Sequence, residues 1–214
     1  MSDRRQRLSR ARLYLVCDAR SDEFLDRALA GGVDIVQLRL KHAADEEILD
    51  VARRFATACA SHDALFILND RPDLVSRGGA DGVHIGQDDV AVAQARALVG
   101  PERLVGLSTH SPKQVDAADA AGVDYIGVGP VHETPTKPGR RAVGLELVRY
   151  AARHARVPFF AIGGIGPDNV RRVTGAGAER IAVVRALTEA LDVEIVASGL
   201  RAALAEERTG VARP

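Results

Sequence analysis

Leu13-Tyr14-Leu15-Val16, followed by Cys17-Asp18-Ala19-Arg20-Ser21, decides the fold. The first four residues form a short apolar run bounded by polar and turn-forming residues. That is the pattern of a strand buried on both faces. The turn behind it carries neither a glycine-rich dinucleotide fingerprint nor a P-loop. Runs of the same kind recur at 33–40, 65–68, 82–85, 104–107, 125–128, 159–162 and 181–184. Longer segments with helical periodicity lie between them. One is 46–59, where Ile48, Leu49, Val51, Ala52, Phe55, Ala56 and Cys59 share a side; another is 91–99.

Eight strands alternating with helices leave two solutions, an open doubly wound sheet or a closed barrel. The open sheet should show a nucleotide fingerprint after its first strand, and Asp18-Ala19-Arg20-Ser21 has none. The expected fold is therefore α/β, a single-domain (β/α)8 TIM barrel. At 214 residues each unit has about 27, compact for this architecture. A phrase recurs ahead of several strands: Gly32-Val33-Asp34-Ile35, Gly79-Ala80-Asp81-Gly82 and Gly122-Val123-Asp124-Tyr125. It is weak internal repetition at the level of one unit. The expected boundaries are an N-terminal basic extension over 1–11, the barrel over 12–207 and a tail over 208–214.

Lys plus Arg and Asp plus Glu balance at 29 each, so no nucleic-acid or membrane partner follows from charge. Arg4, Arg5, Arg7, Arg10 and Arg12 cluster at the N-terminus and read as a solvated tail. No aromatic residues interleave with them as a nucleic-acid arm would require. Cys17 and Cys59 form no metal spacing and read as small buried hydrophobes in a reducing compartment. No apolar run approaches a membrane span, and no apolar segment follows the basic residues as in a secretory signal. The cytoplasm is the expected location.

Barrels place their chemistry at the C-terminal ends of strands. On the second strand, alternation puts Gln37, Arg39 and Lys41 on the inner face and Val36, Leu38 and Leu40 toward the helices. Cations on an inner face require an anion. Asp70 and Asp89 end adjacent strands and can meet at one hard cation such as Mg²⁺, which takes one or two carboxylates plus water and phosphate. Helix capping is the other use for such residues, and Asp88 suits it better than Asp89. Ser108 either donates to a phosphate or caps the helix near Pro112. The loop 129–139, with Thr134, Thr136, Lys137 and three prolines, reads as a stiffened lid. Gly163-Gly164 and the Val184-Arg185 end fit the phosphate site common after strands seven and eight.

These phrases, in order, resemble the thiamine-phosphate synthase family over roughly 12–190. They are Gln37-Leu38-Arg39-Leu40-Lys41, Asn69-Asp70-Arg71, Gly82 through Asp89, Gly106-Leu107-Ser108, Gly127-Val128-Gly129-Pro130, Thr134-Pro135-Thr136-Lys137 and Ala161 through Ile165. The resemblance implies a condensation. A hydroxymethylpyrimidine pyrophosphate loses pyrophosphate as the ring nitrogen of a thiazole phosphate, carboxylated or not, attacks its methylene carbon to give thiamine phosphate. It implies that Gln37, Arg39, Lys41, Asn69, Ser108 and Lys137 hold the pyrimidine pyrophosphate, with Arg39, Lys41, Ser108 and Lys137 acting in catalysis. It further implies that Asp70 and Asp89 bind one Mg²⁺, and that Thr134, Thr136, Gly164, Val184 and Arg185 hold the thiazole phosphate. The expected partners are two phosphorylated small molecules, with a homo-oligomer allowed. His84, His110 and His132 read either as supports for the groups that touch substrate or as structural, with no catalytic role. The chain departs from the family at Leu40, where an acidic residue is common, and at His132-Glu133, where an aromatic or apolar residue and often a proline are usual. The competing readings are a TenI-type thiazole tautomerase and a non-catalytic thiazole-phosphate-binding regulator whose arginines touch DNA.

Overall fold

The computed structural model describes residues 3–133 and 141–206. The elements run, in chain order, α1 (Asp3–Arg10), β1 (Leu13–Cys17), α2 (Asp22–Ala30), β2 (Ile35–Leu38), α3 (Asp45–Ser61), β3 (Leu65–Asn69), β4 (Gly82–Ile85), α4 (Val92–Val99) and β5 (Leu104–Thr109). They continue with α5 (Pro112–Ala120), β6 (Tyr125–Val128), α6 (Gly144–His154), β7 (Phe159–Ile162), α7 (Val170–Thr174), β8 (Ile181–Val183), α8 (Arg185–Thr188) and α9 (Val193–Glu206). The eight strands are parallel and close into one barrel in sequence order, with β8 paired back to β1. The TIM-barrel expectation holds, with one departure. Between β3 and β4 the chain makes consecutive turns and no α-helix, because Pro72 and Gly78-Gly79 punctuate too short a segment.

The strand alternation sorts the core into two layers. Val36, Leu38, Phe66, Leu68, Val83 and Ile85 join the cluster packed under the helices. Tyr14, Ile35, Leu65, Ile67, Leu104, Tyr125 and Phe160 fill the barrel interior. Leu40 packs against the outer cluster, so the departure at position 40 changes packing and leaves the inner face alone. β2 is shorter than 33–40, because Asp34 is spent on the base of the barrel. Its carboxylate accepts from the Arg12 and Leu13 amides at 2.7 and 2.9 Å.

The N-terminal arginines are not a solvated tail. Residues 3–10 form α1 beneath the barrel, with Leu8 buried against the interior cluster. Their charges are held by distant carboxylates: Arg4 and Arg7 meet Asp81 at 2.8 and 3.4 Å, and Arg5 meets Asp124 at 2.7 Å. The partners lie 77, 74 and 119 positions away, a distance at which local pattern is silent. Among the described residues no helix is long and apolar enough to cross a membrane.

Candidate active site

One cavity of about 490 Å³ opens at the C-terminal end of the barrel. Gln37, Arg39, Lys41, Asn69, Asp70, Asp89, Ser108, Gly164, Val184 and Arg185 all line it. Thr134, Thr136 and Lys137 lie outside the described residues.

One side of the cavity is charged. Lys41 Nζ lies 3.6 Å from Asp70 Oδ2. The Asp70 carboxyl is raised above the usual carboxylate range, first by burial and then by the adjacent Asp89 carboxylate; Lys41 and Asn69 pull it back. The two acidic groups crowd together here beside Lys41. Asp70 takes φ +62°, a left-handed conformation that Asp and Asn tolerate better than most residues. Its amide donates to the His84 carbonyl at 2.9 Å, which fixes the turn at the end of β3.

Neither aspartate of the β4 turn caps a helix. α4 begins after Ala91 with no side-chain cap, and Asp89 Oδ2 instead accepts from the Gly86 amide at 2.7 Å. The Ser108 alternatives also separate. Ser111 caps α5, accepting from Gln114 N at 3.3 Å, with Pro112 in the first turn. Ser108 Oγ meets His84 Nε2 at 3.0 Å inside the cavity.

The opposite side is backbone. Gly163 and Gly164 hold φ +108° and +62°, and a Cβ at Gly164 would stand 2.8 Å from His132 Cβ. Asn169 ties the turn together, donating to the Gly164 carbonyl at 2.8 Å and accepting from Gly166 N at 3.0 Å. Arg185 Nε donates to both carboxylate oxygens of Glu189 at 3.0 Å, so this cation is partly committed within the protein.

The chain matches the family model for thiamine monophosphate synthase over residues 13–187. It belongs to the thiamine monophosphate synthase family. The match spans every strand and both sides of the cavity. A thiamine-phosphate synthase of an Arthrobacter species is 50% identical over 226 aligned positions, covering 92% of this chain and 95% of the relative. A thiamine-phosphate synthase of Gloeobacter violaceus is 53% identical over 192 positions, covering 89% of this chain; the chain spans about half of that longer relative, 56%. The solved thiamine phosphate pyrophosphorylase of Pyrococcus furiosus superposes with a TM-score of 0.85 at 33% identity, covering 94% of this chain and 98% of that one.

For this member of the thiamine monophosphate synthase family, reading only strand ends misses the cavity floor. Tyr14, His84, Tyr125 and Phe160 also line the cavity. Tyr14 and Tyr125 are fully buried yet polar, and their hydroxyls meet at 2.9 Å. The signal was available: both stand on the inner face of their strands in the period-2 alternation, where a hydroxyl needs a partner. His110 also lines the cavity, with Nδ1 on the Gly129 carbonyl.

Proposed function

We propose that the protein is a thiamine-phosphate synthase. It condenses hydroxymethylpyrimidine pyrophosphate with a thiazole phosphate to give thiamine phosphate and pyrophosphate. The observation that carries this reading is the split of one cavity into a Lys-Arg-carboxylate side and a glycine-backbone side. Two phosphorylated substrates need two such regions facing each other.

Arg39 makes no side-chain hydrogen bond or ion pair among the described residues, although it lines the cavity beside Lys41. A half-buried cation with no side-chain partner among the described residues suits a pyrophosphate. Gln37, Asn69 and Ser108 complete that subsite, with Lys137 assigned to it by family resemblance. Glycines 163 and 164 let backbone N–H groups approach the thiazole phosphate closely. Val184 and Arg185 stand beside that anion, and Thr134 and Thr136 are assigned to it by resemblance.

The paired Asp70 and Asp89 fit one Mg²⁺. Their donors are hard oxygens, and burial together with the adjacent Asp89 carboxylate raises Asp70, as where two carboxylates crowd one site. Among the described residues no group of three or more His, Cys, Asp or Glu side chains gathers to hold a metal. That suits an ion which fills its shell with water and phosphate. When bound, Mg²⁺ supplies positive charge for the departing pyrophosphate. Arg39 and Lys41 neutralise the same growing charge from the protein side. The aminopyrimidine spreads positive charge from the methylene carbon, which favours a dissociative path. The attacking thiazole nitrogen carries no proton, so no general base is needed. Both cysteines are free and buried, which suits a reducing cytoplasm.

The test follows pyrophosphate release with both substrates, with and without a chelator. Release that needs both substrates and stops with chelator is expected. Isomerised thiazole without pyrophosphate would establish a tautomerase. Thiazole phosphate binding with no turnover would establish a regulator. The regulator is disfavoured by the arginines it needs, since Arg4, Arg5 and Arg7 are already bound to Asp81 and Asp124.

A further inference from the structure

A chain of side chains crosses the barrel beneath the cavity. Gln37 Nε2 donates to Tyr14 Oη at 2.5 Å. Tyr14 Oη meets Tyr125 Oη at 2.9 Å. Tyr125 Oη meets His84 Nδ1 at 3.3 Å, and His84 Nε2 meets Ser108 Oγ at 3.0 Å. The rings cannot drift. Phe160 stands edge-on to Tyr14 and to Tyr125, at 5.3 and 5.7 Å between centroids. A Cβ at Gly106 would overlap the Tyr125 ring, so glycine is what admits the ring there.

Counting protons gives this chain a direction. Each tyrosine hydroxyl has one proton, and burial raises both groups well above their ordinary range, so both keep it. Tyr14 accepts from Gln37, and among the described residues its buried proton has no acceptor besides Tyr125 Oη, so we take Tyr14 to donate there. Tyr125 then donates to His84 Nδ1. An imidazole that accepts at Nδ1 carries its proton at Nε2 and donates to Ser108 Oγ. Ser108, already an acceptor, has its own proton left for the cavity. At the other end, Gln37 spends an N–H on Tyr14. Its Oε1 takes no protein hydrogen bond among the described residues, and Gln37 lines the cavity.

We propose that Tyr14, Tyr125 and His84 form a one-way hydrogen-bond relay that presents Gln37 to the substrate as an acceptor and Ser108 as a donor. This rests on the synthase reading above. An acceptor at Gln37 suits the exocyclic amine of an aminopyrimidine and rejects an oxo group in its place. A donor at Ser108 suits a pyrophosphate oxygen. The three relay residues are positioning residues, acting through Gln37 and Ser108.

The test has two arms. In the first, the ¹⁵N resonances of His84 are recorded in the ligand-free protein. Wild type is expected to show Nε2 protonated and Nδ1 bare, and Tyr125→Phe to lose that preference. Nδ1 protonation in wild type would overturn the relay. The second arm is a double-mutant cycle on condensation. Tyr125→Phe is expected to lower kcat/KM about tenfold, the scale of one misdirected hydrogen bond. Added to Ser108→Ala it should cost nothing more. Effects that multiply would show that Tyr125 serves only the packing of the floor. Discrimination for the aminopyrimidine over its 4-oxo analogue should fall in Tyr14→Phe; unchanged discrimination counts against the Gln37 end. Wild-type protein that condenses nothing defeats the synthase reading, and the resonances still decide the relay.

Discussion

Asp70 is a carboxylate held where a carboxylate is disfavoured. Burial and Asp89 both raise it, and Lys41 offsets only part of that. The sign of the pH dependence follows. A carboxyl raised in the folded state contributes its full stability below the ordinary carboxylate value of about 3.9 and loses it as pH rises through the folded value. Asp70→Asn removes the ionisation and keeps a short side chain suited to the left-handed backbone at φ +62°. Without metal, the melting temperatures of variant and wild type should converge near pH 3.5 and separate as pH rises toward 7, the variant ending higher. Mg²⁺ should then raise wild type and leave the variant unmoved, while condensation falls by at least about 10²-fold, as for other groups that steady transition-state charge. A wild-type melting temperature indifferent to Mg²⁺ would remove Asp70 from any metal site. Asp89→Asn should likewise abolish the response to Mg²⁺ and lower condensation, since both carboxylates are proposed to hold the same ion.

At the scale of elements, the two sides of the cavity are separable. Lys41 follows β2 and pairs with Asp70 on the charged side. Lys41→Ala should weaken pyrimidine pyrophosphate binding by about 10- to 100-fold, the worth of one charge-assisted hydrogen bond, and barely touch thiazole phosphate. Gly164→Ala should do the reverse, because its Cβ would press on His132 and strain a left-handed turn. Equal losses for both substrates in either variant, measured by calorimetry, would mean the subsites are misassigned. The elements themselves were legible because buried parallel strands are near-continuous apolar runs between turn residues. All eight appear within two residues of their expected ends, the largest differences being the two-residue shortening of β2 at both ends and the extension of β5 to Thr109. The charged side of the cavity was legible because Gln37, Arg39 and Lys41 alternate with Val36, Leu38 and Leu40. The floor was less so, since a buried Tyr125 and a packed aromatic look alike until its hydroxyl partner on β1 is known. The missing helix between β3 and β4 was hidden because apolar residues such as Leu74 and Val75 pack equally well from successive turns.

Over the whole molecule, the barrel divides its labour between its two ends. The substrate cavity occupies the end where strands finish. The end where they begin is closed by α1 and by the carboxylates of the recurring Gly-x-Asp phrase. Asp34, Asp81 and Asp124 each precede an even-numbered strand. Each donates its own amide to the strand before, on Leu13, Phe66 and Val105 carbonyls at 2.9, 2.7 and 2.8 Å. Each carboxylate then accepts the amide of that same residue, at 2.9, 3.0 and 2.8 Å. The weak repeat is therefore one clamp used three times, and the N-terminal arginines lock two of its copies. Asp124 is the most enclosed, with its side chain 8% exposed between Arg5 at 2.7 Å and Arg96 at 2.5 Å. Asp124→Asn leaves two arginines short of a countercharge and offers an N–H₂ where acceptors are required. Breaking one partner of a buried pair costs about 3 kcal/mol. A domain of this size should then melt about 6–12 °C lower. Because the clamp lies across the barrel from the cavity, kcat and both KM values at 25 °C should stay within about twofold of wild type, as distant independent sites do. An unchanged melting temperature would show the clamp to be idle. A tenfold loss of kcat in protein that is still folded would show that the closed end reaches the chemistry after all.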